Sequence, residues 1–351
     1  MSTLFEPIQF GDLALKNRVV MAPMTRSRST DQAVPTAEMI EYYAQRANAG
    51  LIVAEGTSPS ADGMGYCRTP GIYNAEQIAA WRQVTDAVHA QGGTIVLQLM
   101  HCGRVATVHN KPAGSKTVAP SALKAEVELF TDAVGMAATD MPHELSNAEV
   151  YEVIEDYRKA ALNAREAGFD GVELHGTSGY LPMQFMSENA NQRTDEFGGS
   201  VENRVRFPLL VLKAMSEAIG SGRVGFRFCP ANKFNDISDS QPAETLQALL
   251  DGIATLNLAY LHIMRAHTRK IDAFAVARAQ FKGGLIINDG FERDTAIEAV
   301  DSGAADAVSF ARHYIANPNL VERLAQGSPL AEFNRDTLYS AGPVGYTDYP
   351  A

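Results

Sequence analysis

Between His175 and Tyr180 the chain places an imidazole, two hydroxyls and a phenol within six residues: His175-Gly176-Thr177-Ser178-Gly179-Tyr180. These side chains donate hydrogen bonds and carry protons. They follow Gly171-Val172-Glu173-Leu174, a short apolar run that reads as a buried strand. In a parallel barrel or open sheet, the carboxyl end of such a strand is where ligands sit. Taken alone, His175 could equally satisfy a core hydrogen bond and Tyr180 could merely pack. The ends of the other apolar runs decide between these readings.

Hydrophobic period and turn residues give a repeating strand–helix alternation. The apolar runs are Val19–Met24, Leu51–Ala54, Thr94–Met100, the run before His175, Val224–Cys229, Tyr260–Met264, Leu285–Asn288 and Ala307–Phe310. Helical patterns span Thr36–Ala49, Ala75–Ala90 and a segment from Ser146 to Gly168 that opens with the capping box Ser146-Asn147-Ala148-Glu149. Further helices follow in Ser200–Ile219, with Pro208 as a kink or second start, and in Ala243–Thr255, Ile271–Gln280 and Asp294–Ser302. Asn317-Pro318 reads as the cap of a last helix. Eight strands, each followed by a helix, predict an α/β fold of the (β/α)8 TIM-barrel class. Nothing between residues 1 and 351 marks a domain break, so a single domain is expected. Two parts lie outside the rhythm: an excursion over 102–145, rich in Gly, Pro and Ala, and a tail over 328–351 expected to cap an opening.

On this barrel the polar residues gather at one end. Thr25, Gly56 and Gln98 come at or after the first three strands, His175 after the fourth and Arg227 on the fifth; Gly290 and Arg312 close the seventh and eighth. Loops after the last two strands of this fold commonly bind phosphate. Gly290 lets backbone approach a phosphate, and Arg312 offers a bidentate partner rather than a surface ion pair. An amide at Gln98 suits a ring of alternating carbonyl and N–H groups, and a guanidinium at Arg227 stabilises negative charge developing there. A flavin pyrimidine has these needs, but the residues alone do not separate it from another phosphorylated ligand.

The formal net charge of −11 argues against nucleic acid and anionic membrane partners. No apolar run is long enough to span a bilayer, and the start MSTLFEPIQFGDL lacks the layout of a signal peptide, so a cytoplasmic protein is expected. Cys67, Cys102 and Cys229 form no disulfide framework or metal knuckle. His89, His109, His143, His267 and His313 show no metal-ligand spacing, His262 is read as a core residue, and no metal is expected.

Several motifs carry a resemblance. They are Leu4-Phe5-Glu6-Pro7, the run Asn17–Arg26, Gln98-Leu99-Met100-His101-Cys102-Gly103-Arg104, the segment Gly171–Tyr180, the run Asn191–Arg204, Ala311-Arg312 and Gly345–Pro350. In this order and spacing, the chain resembles the Old Yellow Enzyme family of FMN-dependent ene-reductases over nearly its whole length. The resemblance implies bound FMN, NAD(P)H as reductant and an activated alkene as substrate, nicotinamide and substrate occupying the same place in turn. It implies Pro23, Met24, Thr25, Gly56, Gln98 and Arg227 around the flavin ring, and Asp289, Gly290, Ala311 and Arg312 around its phosphate. His175 becomes the donor to a substrate carbonyl or nitro oxygen, Tyr180 the proton donor to the alkene, and Tyr66 and Tyr346 aromatic pocket walls.

Two pocket positions depart from the family pattern. Ser178 stands where His or Asn is usual, and Met100 where many relatives carry Trp. A flexible Met widens the pocket. Ser has one short donor, which implies a weaker grip on simple enones, a water in place of the missing group, or a substrate with a bulkier polar head. Ala311, where Gly is common, adds a methyl beside the phosphate. The altered donor pair leaves room for an isomerase or desaturase of the same family. A flavin-free barrel that binds a phosphorylated metabolite, as a lyase or binding protein, is the alternative from another class. Monomer and homodimer are both compatible with the sequence.

Overall fold

Eight parallel strands close into a barrel in the computed structural model, which describes residues 2–266, 268 and 270–350. His267 lies outside the described residues. The strands are β1 (Val19–Met21), β2 (Leu51–Thr57), β3 (Ile95–Leu99), β4 (Gly171–His175), β5 (Val224–Phe228), β6 (Tyr260–Met264), β7 (Gly284–Asn288) and β8 (Ala307–Phe310), with β8 paired back onto β1. They read as near-continuous apolar runs because both faces are covered. The helices packed outside are α1 (Ala37–Gln45), α2 (Ala75–Ala90), α3 (Asn147–Glu166), α4 (Arg206–Ile219), α5 (Pro242–Ile253), α6 (Ala273–Gln280), α7 (Arg293–Asp301) and α8 (Leu320–Gln326).

The expected elements are present, with shifted ends. β1 stops at Met21, since Pro23 has no N–H to continue a ladder. β2 runs past Ala54 to Thr57 through a register shift, which brings Gly56 into the strand. The Ser146 capping box forms, the hydroxyl accepting the Glu149 N–H and the Glu149 carboxylate accepting the Ser146 N–H. The chain breaks at Val205 between a short helix, Val201–Arg204, and α4, and Pro208 lies in the first turn of α4, where its missing donor costs nothing. The Asn317-Pro318 cap is corrected. α8 begins at Leu320 behind Asn319, while the Asn317 amide donates to the His313 and Ala331 carbonyls and accepts the Ala331 N–H.

The two ends of the barrel are closed differently. At the N-terminal end an antiparallel hairpin, Ile8–Phe10 with Leu13–Leu15, inserts Phe10, Leu13 and Leu15 against Leu51, Val53, Val96 and Ile286. Gly284 makes this fit possible: a Cβ there would lie 2.3 Å from the Phe10 ring. The sequence reading did not foresee this plug. At the other end the tail crosses the mouth and is held by two arginines that follow β1. Arg26 donates to the Leu338 and Gly345 carbonyls, and Arg28 to those of Thr337, Leu338, Gly342 and Val344. The 102–145 excursion folds as a hairpin, Glu128–Thr131 with Gly135–Ala138, and a two-residue parallel pair, Val118–Ala119 with His143–Glu144.

Candidate active site

Inward-facing positions change from apolar to polar along the barrel axis. Leu51, Val53, Val96, Tyr260 and Ile286 fill the plugged end. One alternation further along, Gln98, Glu173, Arg227, His262, Asn288 and Ser309 face one another, and all are buried. The Gln98 amide donates to Glu173 Oε1 at 2.8 Å, and Arg227 Nη2 donates to Asn288 Oδ1 at 3.0 Å. Period two on β4, β5 and β6 puts these polar residues on one face: Glu173 and His175, Arg227, then His262. Burial depresses the Arg227 pKa, with the Glu173 charge opposing that shift. Arg227 Nε, although buried, has no partner among the described residues. An orphaned donor on a buried cation is costly and marks a place where a ligand acceptor is expected.

Three cavities adjoin above this layer. The first, about 290 Å³, is lined by Arg227, Asn288, Asp289, Gly290, Ala311 and Arg312 among others. Asp289 and Gly290 both have positive φ, +92° and +76°. A Cβ on Gly290 would meet nothing, so its need is conformational rather than steric. Arg312 is exposed and makes no ion pair among the described residues. The second cavity, about 440 Å³, shares Ala311 and Arg312 with the first and adds Met24, Thr25, Phe333, Arg335 and Tyr339. The third, about 800 Å³ and mostly apolar, shares Thr25, Arg335 and Tyr339 with the second. Its walls include Tyr66, Leu129, Phe130, Tyr180 and Phe234. The result is one trough, cationic at one end and aromatic at the other.

His175 and Tyr180 meet edge to face, with ring centroids 4.8 Å apart and planes at 83°; Tyr180 lines the third cavity and His175 is buried behind it, lining none of the three. Burial and the neighbouring Arg227 hold the His175 pKa well below its ordinary value, so the ring is neutral. The Thr177 N–H points at Nδ1, 3.4 Å away, which leaves the proton on Nε2. Tyr180 and Tyr66 share a hydrogen bond of 3.1 Å between their hydroxyls, and Asn235 donates to the Tyr66 hydroxyl at 3.4 Å. Burial raises both phenol pKa values, keeping the two hydroxyls protonated. Ser178 sits at φ +60° with its carbonyl accepting from Asn235 at 2.9 Å, and its hydroxyl makes no hydrogen bond to a described residue.

The structure therefore brings Thr25, Met24, Arg227, Asp289, Gly290, Ala311, Arg312, Tyr66 and Tyr180 to the trough walls. Pro23 precedes Thr25 and is partly exposed. Gly56 and Met100 stand behind the wall: a Cβ on Gly56 would lie 2.6 Å from Met100 Sδ, and Met100 packs in a cluster with Leu129 and Tyr180. Tyr346 is a correction. It is fully buried, stacked on Tyr42 at 4.0 Å beneath the Arg26 and Arg28 guanidiniums, and lines none of the three cavities. Tyr339 is the tail aromatic at the trough, held there because Arg28 binds the Thr337 and Leu338 carbonyls just before it and Arg68 binds its own. Asn235, Phe234 and Arg335 were also missed; none lies on a strand end or in a periodic element.

A barrel with a buried guanidinium below an elongated trough, a cationic end and, at the other end, a Tyr backed by a buried His defines a flavin-dependent oxidoreductase. The chain matches the NADH:flavin oxidoreductase / NADH oxidase family over residues 3–331 and belongs to it. It is 40% identical to a probable flavin mononucleotide-dependent alkene reductase of Leishmania infantum, over 100% of this chain and 98% of that protein. Morphinone reductase in complex with tetrahydroNAD superposes with a TM-score of 0.95 at 45% identity, covering 99% of this chain and 97% of that one. An old yellow enzyme homologue from Zymomonas mobilis superposes with a TM-score of 0.96 at 39% identity, covering 99% of both chains. The FMN of this family fits the residues present: Arg227, whose buried Nε has no partner among the described residues, lines the first cavity, and Arg312, without an ion pair among them, stands at its cationic end. Among the described residues no helix is long and apolar enough to cross a membrane.

Proposed function

We infer that the protein is an FMN-dependent ene-reductase that reduces the activated C=C bond of α,β-unsaturated carbonyl or nitro compounds with NADH or NADPH. The observation that carries this reading is the neutral His175 edge to face with the protonated Tyr180, whose ring lines the apolar end of the trough. Gln98 and Arg227 would hold the ring end of the flavin, the backbone at Asp289–Gly290 and Ala311 with the Arg312 side chain its phosphate, and Thr25 the edge nearest the substrate. When bound, the flavin would supply the two-electron exchange between the nicotinamide and the activated alkene.

His175 Nε2–H donates to the substrate oxygen, where negative charge grows as the β-carbon is reduced. A fixed donor in a dry cavity stabilises that charge more than water does. Tyr180 then gives its hydroxyl proton to the α-carbon, and the Tyr66 hydroxyl, held in place by the Asn235 amide and lining the cavity, is the neighbour through which the phenol regains a proton from solvent. Arg227 offers its free Nε–H to charge at the ring end. The aromatic walls at Tyr66, Phe130, Phe234 and Tyr339 favour flat or bulky apolar substrates.

Anaerobic half-reactions test the assignment. Tyr180→Phe is expected to bleach with NADH or NADPH at the wild-type rate. Its reoxidation by cyclohexenone is expected to be slower by a factor of ~10²–10⁴, the usual worth of a positioned proton donor. Unchanged reoxidation would remove Tyr180 from the mechanism. Failure of either nicotinamide to bleach the protein would favour an isomerase over a reductase.

A further inference from the structure

Glu173 is a fully buried carboxylate inside the barrel, and among the described residues the only basic side chain within hydrogen-bond reach is His262. Taking a carboxylate out of water costs several kcal/mol, so packing alone does not account for a Glu at this position. Its hydrogen bonds form part of a chain. Gln98 Nε2 lies 2.8 Å from Oε1 and His262 Nδ1 lies 2.9 Å from Oε2. His262 Nε2 is 2.7 Å from Ser309 Oγ, which accepts from Asn288 Nδ2 at 2.8 Å, and Asn288 Oδ1 accepts from Arg227 Nη2 at 3.0 Å. One proton assignment satisfies every link: Arg227 donates to Asn288, Asn288 to Ser309, Ser309 to His262 and His262 to Glu173. It requires a neutral His262 carrying its proton on Nδ1, in agreement with the downward shift that burial imposes on this ring.

The chain begins and ends at groups that reach the barrel mouth. A carboxamide can usually exchange its oxygen and nitrogen by a half-turn. At Gln98 the Glu173 carboxylate accepts only, so Nε2 is pinned inward and Oε1 is presented outward. At the other end Asn288 fixes the Arg227 guanidinium by one Nη and leaves Nε free.

We propose that Glu173 and His262 are positioning residues which, through Gln98 on one side and Ser309 and Asn288 on the other, orient the amide and the guanidinium that receive the flavin ring and set the charge beneath it. This rests on the reading that Gln98 and Arg227 face the ring. Glu173 places a negative charge opposite the Arg227 cation, so its removal strengthens the site's preference for the anionic, reduced ring over the oxidised one.

Titration of apo-protein with FMN and with riboflavin, followed by fluorescence quenching, together with the midpoint potential of the bound flavin, tests this. Glu173→Gln is expected to weaken oxidised FMN and riboflavin by the same factor, about tenfold, since both present the same ring. The reduced-to-oxidised affinity ratio should rise about tenfold, a shift of ~30 mV upward for a two-electron couple. His262→Gln, which keeps a donor to the carboxylate, should stay within about threefold of wild type, whereas His262→Leu should match the affinity loss of Glu173→Gln. Wild-type affinity in Glu173→Gln, or equal weakening of both oxidation states with an unmoved potential, overturns the proposal. Should Glu173→Gln not fold, Ser309→Ala reads the same chain from its other side, and unchanged riboflavin affinity there is equally fatal. Gln98→Leu separates the two levels. If it leaves riboflavin binding unchanged, the placement of the ring fails and the proposal with it; if it weakens riboflavin while Glu173→Gln does not, the proposal alone fails.

Discussion

Two sets of buried arginines at the mouth of this barrel, Arg26 with Arg28 after β1 and Arg227 on β5, differ in what they lack. Arg26 and Arg28 have every guanidinium nitrogen occupied, chiefly by tail carbonyls, and Tyr346 lies against both. Arg227 has one Nη on Asn288 and a buried Nε with no partner. The first pair is complete without any ligand. The second cation is incomplete without one. Burial and charge are alike in the two places, and what separates the binding group is an unmet donor on a residue that lines a cavity, since Arg104 and Arg204 also have unpartnered nitrogens but line none of the three.

The clamp should give the larger effect on stability. Arg28→Met strips donors from the carbonyls of Thr337, Leu338, Gly342 and Val344 together. At about 1 kcal/mol or more for each group left unpaired, with partial recovery by solvent, the loss is expected near 3 kcal/mol. Urea unfolding of the apo-protein measures it, and a loss under 1 kcal/mol would mean the tail is held by its apolar contacts instead. Because the same bonds place Tyr339 beside the trough, KM for the alkene should rise more than kcat falls.

Arg227→Met should show the opposite pattern. The substitution frees the apo-protein of a buried cation's desolvation cost but leaves Asn288 Oδ1 unpaired and the Glu173 charge less compensated, so its stability loss should stay below that of Arg28→Met. FMN affinity falls about 10–100-fold, the worth of a charge-assisted hydrogen bond of ~1.5–3 kcal/mol. Equilibrium dialysis of FMN and urea unfolding on the same preparation check both halves. A drop in stability equal to the drop in affinity would erase the distinction between the two arginine sites.

The same contrast explains what the sequence disclosed. Strand period and polar residues at strand ends located Arg227, Gln98 and His175, because alternation assigns a face before any contact is known. The clamp left no such trace. Its partners are backbone carbonyls of an aperiodic tail, and a carbonyl is available at any residue type. Hence Tyr346 and Tyr339, seven positions apart in one tail, could not be told apart, and the one assigned to the pocket belongs to the clamp. The Phe10 hairpin escaped for a related reason: its strands are three residues each, shorter than any window in which a period shows. Glu173 was visible as a charge in an apolar run, and His262 was read as core; their pairing across the barrel interior required the closed topology.

Ser178 gives the smallest expected effect and the finest discrimination between scaffold and chemistry. Its φ of +60° lies in the left-handed region, where Asn and His are several-fold enriched and Ser has no special advantage. Both residues common in the family at this position therefore suit the backbone as well as the donor role, and a gain on substitution has two separable sources. Ser178→Asn should raise kcat/KM for cyclohexenone by up to about tenfold, less than the ~10²–10³ of a full oxyanion donor because His175 and the Ser hydroxyl already contribute. A backbone benefit alone would appear as higher thermal stability with unchanged kinetics. A donor benefit would appear in the reoxidation half-reaction while reduction by the nicotinamide stays at the wild-type rate. No change in either would assign Ser178 to neither role, and would turn attention to the wide aromatic wall of Tyr66, Phe130, Phe234 and Tyr339 as the part of the site that selects its substrate.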